Sequence, residues 1–278
     1  MKLKRCMRFV AALYFAIIVG TGGAAANEAR VEVLVNGEKL FSDTSAVLKD
    51  GTTYVPLRAF AERFSSAQVS WDAQSRSARV EAPGLQLTVR EGREYMVANG
   101  RYFYMKDSVL KRDGRILVPV RALSAAYGLE VQWLASSRTV SLSGSFVPAQ
   151  SGETFYDADA VYWLSRIIHA ESQGEPLRGK IAVGNVVLNR VRSEQFPNTI
   201  YGVIFDTAYG VQFTPAANGT IYGQPGQESV IAAKLCLDGA QAVPQNCLYF
   251  LNASLAVNFW IPQNRPYLTA IGNHQFYA

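Results

Sequence analysis

The chain has 278 residues, 49% hydrophobic and 18% charged, which is enough apolar content for one large core or two modest ones and too much for a disordered chain. The formal charge of +5 first suggests a nucleic-acid or acidic-surface partner. Its position in the chain removes that reading. Lys2, Lys4, Arg5 and Arg8 precede an apolar run from Phe9 to Val19 and a small-residue stretch from Gly22 to Ala26, in which Ala24-Ala25-Ala26 offers an Ala-x-Ala cleavage site. This is the three-part pattern of a secretory signal peptide over residues 1–26, and its apolar run is shorter than the ~20 residues that span a bilayer. The remainder has 23 basic and 22 acidic residues, so the clustered cations that nucleic acid requires are missing. With no other long apolar segment, a secreted or extracytoplasmic protein with no stable membrane span is expected.

Residues 27–145 carry an internal repeat. Asp50-Gly51 followed by Val55-Pro56-Leu57-Arg58-Ala59 returns 63 residues later as Asp113-Gly114 followed by Val118-Pro119-Val120-Arg121-Ala122. At an offset of 62 the match continues through Val69/Val131, Trp71/Trp133, Ser75/Ser137 and Arg76/Arg138, which places a one-residue deletion between the two blocks. Alternating runs such as Val31–Val35 and Leu85–Val89 have the period of half-buried strands, and the Asp-Gly pairs predict tight turns. After Pro56, Leu57, Phe60, Ala61 and Phe64 fall at helical spacing. Trp71 and Trp133 are expected to anchor the core.

These motifs resemble the small module named after the N-terminal domain of copper amine oxidases. The resemblance implies a non-catalytic unit that docks on the cell wall or on a partner protein, with a plain spacer as the alternative. Copper chemistry is not expected, because residues 27–150 contain no His. Their 16 basic and 13 acidic residues make a mildly positive surface.

Residues 146–154 read as a linker, and from residue 155 to 278 the pattern becomes helical. From Asp159 onward, Val161, Leu164, Ile167 and Ile168 share one helical arc of about 120°, and Glu171 lies inside it. A carboxylate on an apolar face must be paired, protonated or placed at a cleft, and those conditions raise its pKa. Alternatively it curls out to solvent, since Gly174 and Pro176 end the helix just beyond. A second helix is predicted from about Leu177 to Arg192, with Gly179 and Gly184 allowing close approach to the first. Asn185 and Asn189 lie on one face of it, turned either to the carboxyl or to water. Cys236 and Cys247 form an even pair in an exported chain and are expected to make a disulfide. A metal site with His169 and His274 lacks a short-spaced ligand pair.

The string Ile168-His169-Ala170-Glu171-Ser172-Gln173-Gly174-Glu175-Pro176 is followed by Gly179 to Gly184, Val187-Leu188-Asn189-Arg190-Val191 and Phe196-Pro197-Asn198-Thr199-Ile200. Farther on come Gln212-Phe213-Thr214-Pro215, Tyr249-Phe250-x-Asn252 and Ile271 to Tyr277. Together these resemble the spore-cortex-lytic branch of bacterial cell wall hydrolases, which is similar to lysozyme-like lytic transglycosylases. The implied fold class is α+β, a β-rich duplicated module with short helices and then a mainly α, lysozyme-like catalytic domain.

The implied activity is cleavage of the MurNAc-β-1,4-GlcNAc bond of peptidoglycan, in spore cortex or cell wall, with 1,6-anhydromuramic products. Glu171 would be the catalytic acid and base, and Glu175, or else Asp206, the second acid of a hydrolytic variant. Gln212, Phe213, Thr214, Tyr249, Asn252 and His274 are the expected sugar-binding groups. No cofactor or metal is implied. The expected partner is the glycan strand, with room for an accessory or inhibitory protein. The alternative is a non-catalytic glycan- or partner-binding protein with a degenerate lysozyme-like domain. His169-x-Glu171 imitates a zinc deaminase signature, but no Pro-Cys-x-x-Cys follows; Ser172 has no triad partners in evident order.

Overall fold

The computed structural model describes residues 28–208, 210–254 and 260–278. The expected signal peptide lies outside the described residues. The architecture is α+β, with strands dominating residues 29–143 and helices dominating the C-terminal half. Among the described residues no helix is long and apolar enough to cross a membrane.

The two repeat copies interlock in one body. The strand Thr52–Pro56 pairs antiparallel with Arg115–Pro119, and Val55 stands opposite Val118, so the two Val-Pro-x-Arg-Ala motifs face each other at the centre of a five-stranded sheet. Each central strand turns at its Pro into a short helix, α1 (Leu57–Phe64) or α2 (Val120–Ala126), where proline's missing N–H costs nothing. The backbone repeats as the sequence does. The non-glycine residues with positive φ fall into the pairs Asn36/Asn99, Asp50/Asp113 and Arg76/Arg138. The first two pairs precede glycines that also have positive φ, as mirror-image hairpin turns require. The first copy's strand Glu32–Val35 runs parallel to Thr139–Ser143 of the second copy, so the opening hairpin completes the other copy's sheet. Phe60 and Tyr127 meet edge to face in the shared core, with ring centres 5.1 Å apart. Neither copy buries its apolar face alone.

Trp71 and Trp133 correct the expectation of core anchors, since they are 41% and 39% exposed. Their strands, Gln68–Asp72 and Glu130–Leu134, are the terminal strands of their sheets, so one face has no layer to cover it.

After the one-turn α3 (Gly152–Phe155) come α4 (Ala158–Ser172), α5 (Leu177–Arg192), α6 (Ile200–Ile204), α7 (Thr214–Asn218), α8 (Gln227–Leu237) and α9 (Trp260–Asn264). A three-stranded sheet orders Tyr249–Asn252, His274–Tyr277 and Tyr267–Ile271. The Asp157 side chain caps α4 by accepting from Ala160 N at 2.7 Å. Helices α4, α5 and α8 pack around Gly184, where an added Cβ would lie 2.7 Å from Cys236 Sγ and 2.8 Å from Ile168 Cδ1. Gly179, expected to face α4, instead makes room for the Glu175 side chain at 3.0 Å.

Asn185 and Asn189 serve neither expected role. Both are buried; Asn185 bonds Ala240 O and Ala242 N, and Asn189 donates to Pro244 O and Cys247 O, so α5 supplies the hydrogen bonds of a loop that lacks its own. The expected disulfide is also corrected. Cys236 and Cys247 are free thiols in separate core clusters, one facing Ile181 O and the other Tyr249 O, at successive levels along α5.

The repeat body docks on α8. Arg101 makes a bidentate pair with Asp238 at 2.6 and 3.0 Å, and Tyr156 donates its hydroxyl to the same carboxylate at 3.0 Å. Tyr95, Tyr102 and Tyr104 pack on the C-terminal core. Residues 146–154 are held by bonds from Val147 N to Tyr127 O, Ala149 N to Ala126 O and Gly152 N to Asn99 O. At an offset of 63, Arg101, Tyr102 and Tyr104 correspond to Glu38, Lys39 and Phe41, and Phe41 is 80% exposed. The repeat is symmetric in backbone and asymmetric in use.

Candidate active site

Glu171 occupies the last turn of α4, on the face that carries Leu164, Ile167 and Ile168 into the core. It emerges in a cleft of about 1330 Å³ whose walls come from the end of α4, the α4–α5 loop, Arg190 of α5, the segment from Val211 to Thr220, the strand Tyr249–Asn252 and α9. Burial pushes its pKa up to about 7, while the Arg190 guanidinium pulls the other way. The carboxyl is therefore a competent proton donor near neutrality.

Arg190 is a buried cation, 5% exposed. It donates through Nε to Leu248 O at 2.8 Å and through Nη1 to Gln212 Oε1 at 3.3 Å, and its guanidinium lies 4.8, 5.2 and 5.5 Å from the rings of Phe196, Phe213 and Tyr249. Burial lowers its pKa to about 10, so it stays charged at neutral pH. Sequence reasoning assigned it no role. The available signal was the one that revealed Glu171: Val183, Val186, Val187 and Arg190 share the i, i+3, i+4, i+7 face, so a charge sits in an apolar register.

Gln212, Phe213, Thr214, Tyr249, Asn252 and His274, expected to bind sugar, all line this cleft. Their environments differ. Gln212 and Tyr249 contact Arg190, Thr214 is exposed at the start of α7, and Asn252 uses its side-chain oxygen to accept from Ser254 N and Oγ. Phe213 and His274 are 3% and 5% exposed; they form floor more than contact surface, and His274 meets Phe250 edge to face. Burial lowers the His274 pKa, against the pull of nearby Glu175. Trp260 and Arg265, which sequence reasoning did not single out, form the outer wall.

Glu175 is corrected as a second acid. Its carboxylate accepts from Asn273 N at 3.0 Å and Asn273 Nδ2 at 2.9 Å, and a Cβ on Gly272 would lie 1.7 Å from it, so it is clamped into the turn Ile271–His274. Lys180 Nζ holds the Glu175 carbonyl and pairs with Glu228 at 2.9 Å. Asp206, the other alternative, is not among the cleft residues. Glu171 remains as the uncommitted carboxyl of the cleft.

Comparison with known proteins adds the lineage. Residues 174–277 match the family model of the Cell Wall Hydrolase, and residues 34–142 match that of the Copper amine oxidase N-terminal domain. The likeness to cell wall hydrolases falls in the C-terminal half. Over 121 residues, 44% of this chain and 45% of the relative, the protein is 37% identical to a spore cortex-lytic enzyme of Bacillus cereus. Over 113 residues, 41% of this chain and 35% of the relative, it is 36% identical to that of Bacillus subtilis. The chain spans less than half the length of these curated relatives. A solved catalytic domain of the germination-specific lytic transglycosylase SleB from Bacillus anthracis is 35% identical, with a TM-score of 0.41, covering 47% of this chain and 100% of that one. The hydrolase match begins at Gly174, three residues beyond Glu171, so the case for that carboxyl rests on its geometry.

Proposed function

We propose that this is an extracytoplasmic peptidoglycan lytic transglycosylase that cuts the MurNAc-β-1,4-GlcNAc bond, with residues 155–278 as the catalytic domain and residues 27–145 as its docked, non-catalytic companion. The observation that carries this reading is Glu171, a protonatable carboxyl in a cleft whose other acid, Glu175, is already hydrogen-bonded to Asn273. Kinship with the cell wall hydrolase family and with spore cortex-lytic enzymes supports the substrate class.

Neutral Glu171 donates its proton to the glycosidic oxygen as the bond to C1 of the muramic residue breaks. The Glu171 carboxylate left behind faces Arg190, whose charge stabilises it while positive charge develops on the sugar. That carboxylate then takes the proton of the muramic C6 hydroxyl, O6 bonds to C1, and the acid is regenerated with a 1,6-anhydro end as product. The sugar supplies the nucleophile, so a second carboxylate is unnecessary. Mass spectrometry of the released muropeptides tests the route. Anhydro products are lighter by one water than hydrolysis products, and exclusively hydrolytic products would refute it.

A further inference from the structure

Arg265 comes directly after α9 at the outer wall of the cleft, and it is the cleft cation without a partner assigned by the fold. Arg190 is committed to Leu248 O and Gln212. In contrast, no carboxylate among the described residues pairs with Arg265. Its Nε is buried without a hydrogen-bond partner. The guanidinium is nevertheless well placed, 4.5 Å from the Tyr249 ring centre and 5.3 Å from that of Trp260. The two rings hold the guanidinium in place, and its terminal Nη groups, beyond the buried Nε, are left to meet a planar anion. Tyr249 also lies 5.5 Å from Arg190, so the two guanidinium carbons are at most ~10 Å apart. Glu171 and Arg265 line the same cleft, so a saccharide seated on the acid can extend its substituents along the wall that carries Arg265.

The sugar rings of peptidoglycan and their N-acetyl groups are neutral. Its anions are the carboxylates of the peptide stems, carried on the lactyl ether of the muramic residues. We propose that Arg265 is a subsite for a stem-peptide carboxylate and makes the cleft select anionic stems over neutral ones. This rests on the peptidoglycan reading above and deepens it. The contact is a charge-assisted, bidentate hydrogen bond made in an aromatic-walled corner where water competes poorly.

The test compares the full-length protein with Arg265→Met and Arg265→Lys on two polymers: intact peptidoglycan, and the same peptidoglycan with its free stem carboxylates converted to neutral methylamides by carbodiimide coupling. For each protein the readout is the ratio of kcat/KM on intact over amidated peptidoglycan, in which any general loss of folding cancels. Arg265→Met is expected to lower that ratio about tenfold, and Arg265→Lys, which keeps the charge but not the fork, to lower it less. An unchanged ratio in Arg265→Met overturns the subsite while leaving the enzyme's activity standing. Wild-type protein that cuts neither polymer refutes the peptidoglycan reading itself, and the subsite falls with it.

Discussion

Replacing Glu171 with Gln removes a titratable group while keeping its size and most of its hydrogen-bonding shape. The ordinary carboxyl pKa of 4.5 is raised in the folded protein to about 7, chiefly by burial. The native state therefore holds the Glu171 proton more tightly than the unfolded chain, and between these values stability falls as pH rises. The gap has a ceiling of about 3 kcal/mol, and the side chain's partial exposure to cleft water reduces that to about 1–2 kcal/mol. Gln is neutral throughout. Glu171→Gln should thus melt close to wild type at pH 4.5 and above it at pH 8, by roughly 3–6 °C for a chain of this size. Activity on peptidoglycan should drop by at least about 10²-fold at every pH, as expected for loss of a general acid. Wild-type kcat/KM should itself decline above about pH 7 as the acid ionises. Scanning calorimetry at the two pH values, with a turbidity assay of peptidoglycan lysis, checks both arms. Parallel pH dependence of the two melting temperatures would refute the buried-acid argument, and near-normal lysis by a folded variant would remove Glu171 from the chemistry.

The corrected residues carry expectations of their own. Glu175→Gln should lower stability by about 1–3 kcal/mol in thermal melts, because the clamp on Asn273 loses its charge, while kcat of the folded variant falls less than tenfold. Arg101→Ala leaves Asp238 buried with Tyr156 as its remaining partner and should cost about 3–5 kcal/mol, whereas Glu38→Ala, at the matching position of the first copy and 77% exposed in its pair with Arg63, should change stability by less than about 0.5 kcal/mol. For the same reason residues 151–278 alone should melt lower than the whole chain. In protein lacking residues 1–26, dithiothreitol should not shift the melting temperature, and both thiols should react with a thiol reagent only after denaturation.

Legibility in the sequence tracked the reach of the signal. Local patterns were decisive where one element carries its own instructions: α5 spans the Leu177–Arg192 segment expected from periodicity, and the Asp-Gly pairs sit at paired turns with positive φ. Glu171 was singled out because helical spacing places it among apolar neighbours, and the family resemblance then favoured the acid over a side chain turned to solvent. Trp71 and Trp133 were misread because their size suggests a core, while their exposure depends on lying at the open edges of two sheets. Cys236 and Cys247 were misread because eleven residues of sequence say nothing about how α5 separates them in space.

By itself, then, the sequence determined the duplication, the helical second half and the presence of one carboxyl on an apolar helix face, since each depends on periodicity and residue chemistry within a single element. Only tertiary structure decided which charges remain available. Glu175 is withdrawn by Asn273, 98 residues away, and Arg101 by Asp238, 137 residues away. Arg190 of α5 and Arg265 after α9 are gathered beside Tyr249 from distant parts of the sequence. Desolvation and pairing act between atoms in contact, and those contacts exist only once the chain has closed upon itself.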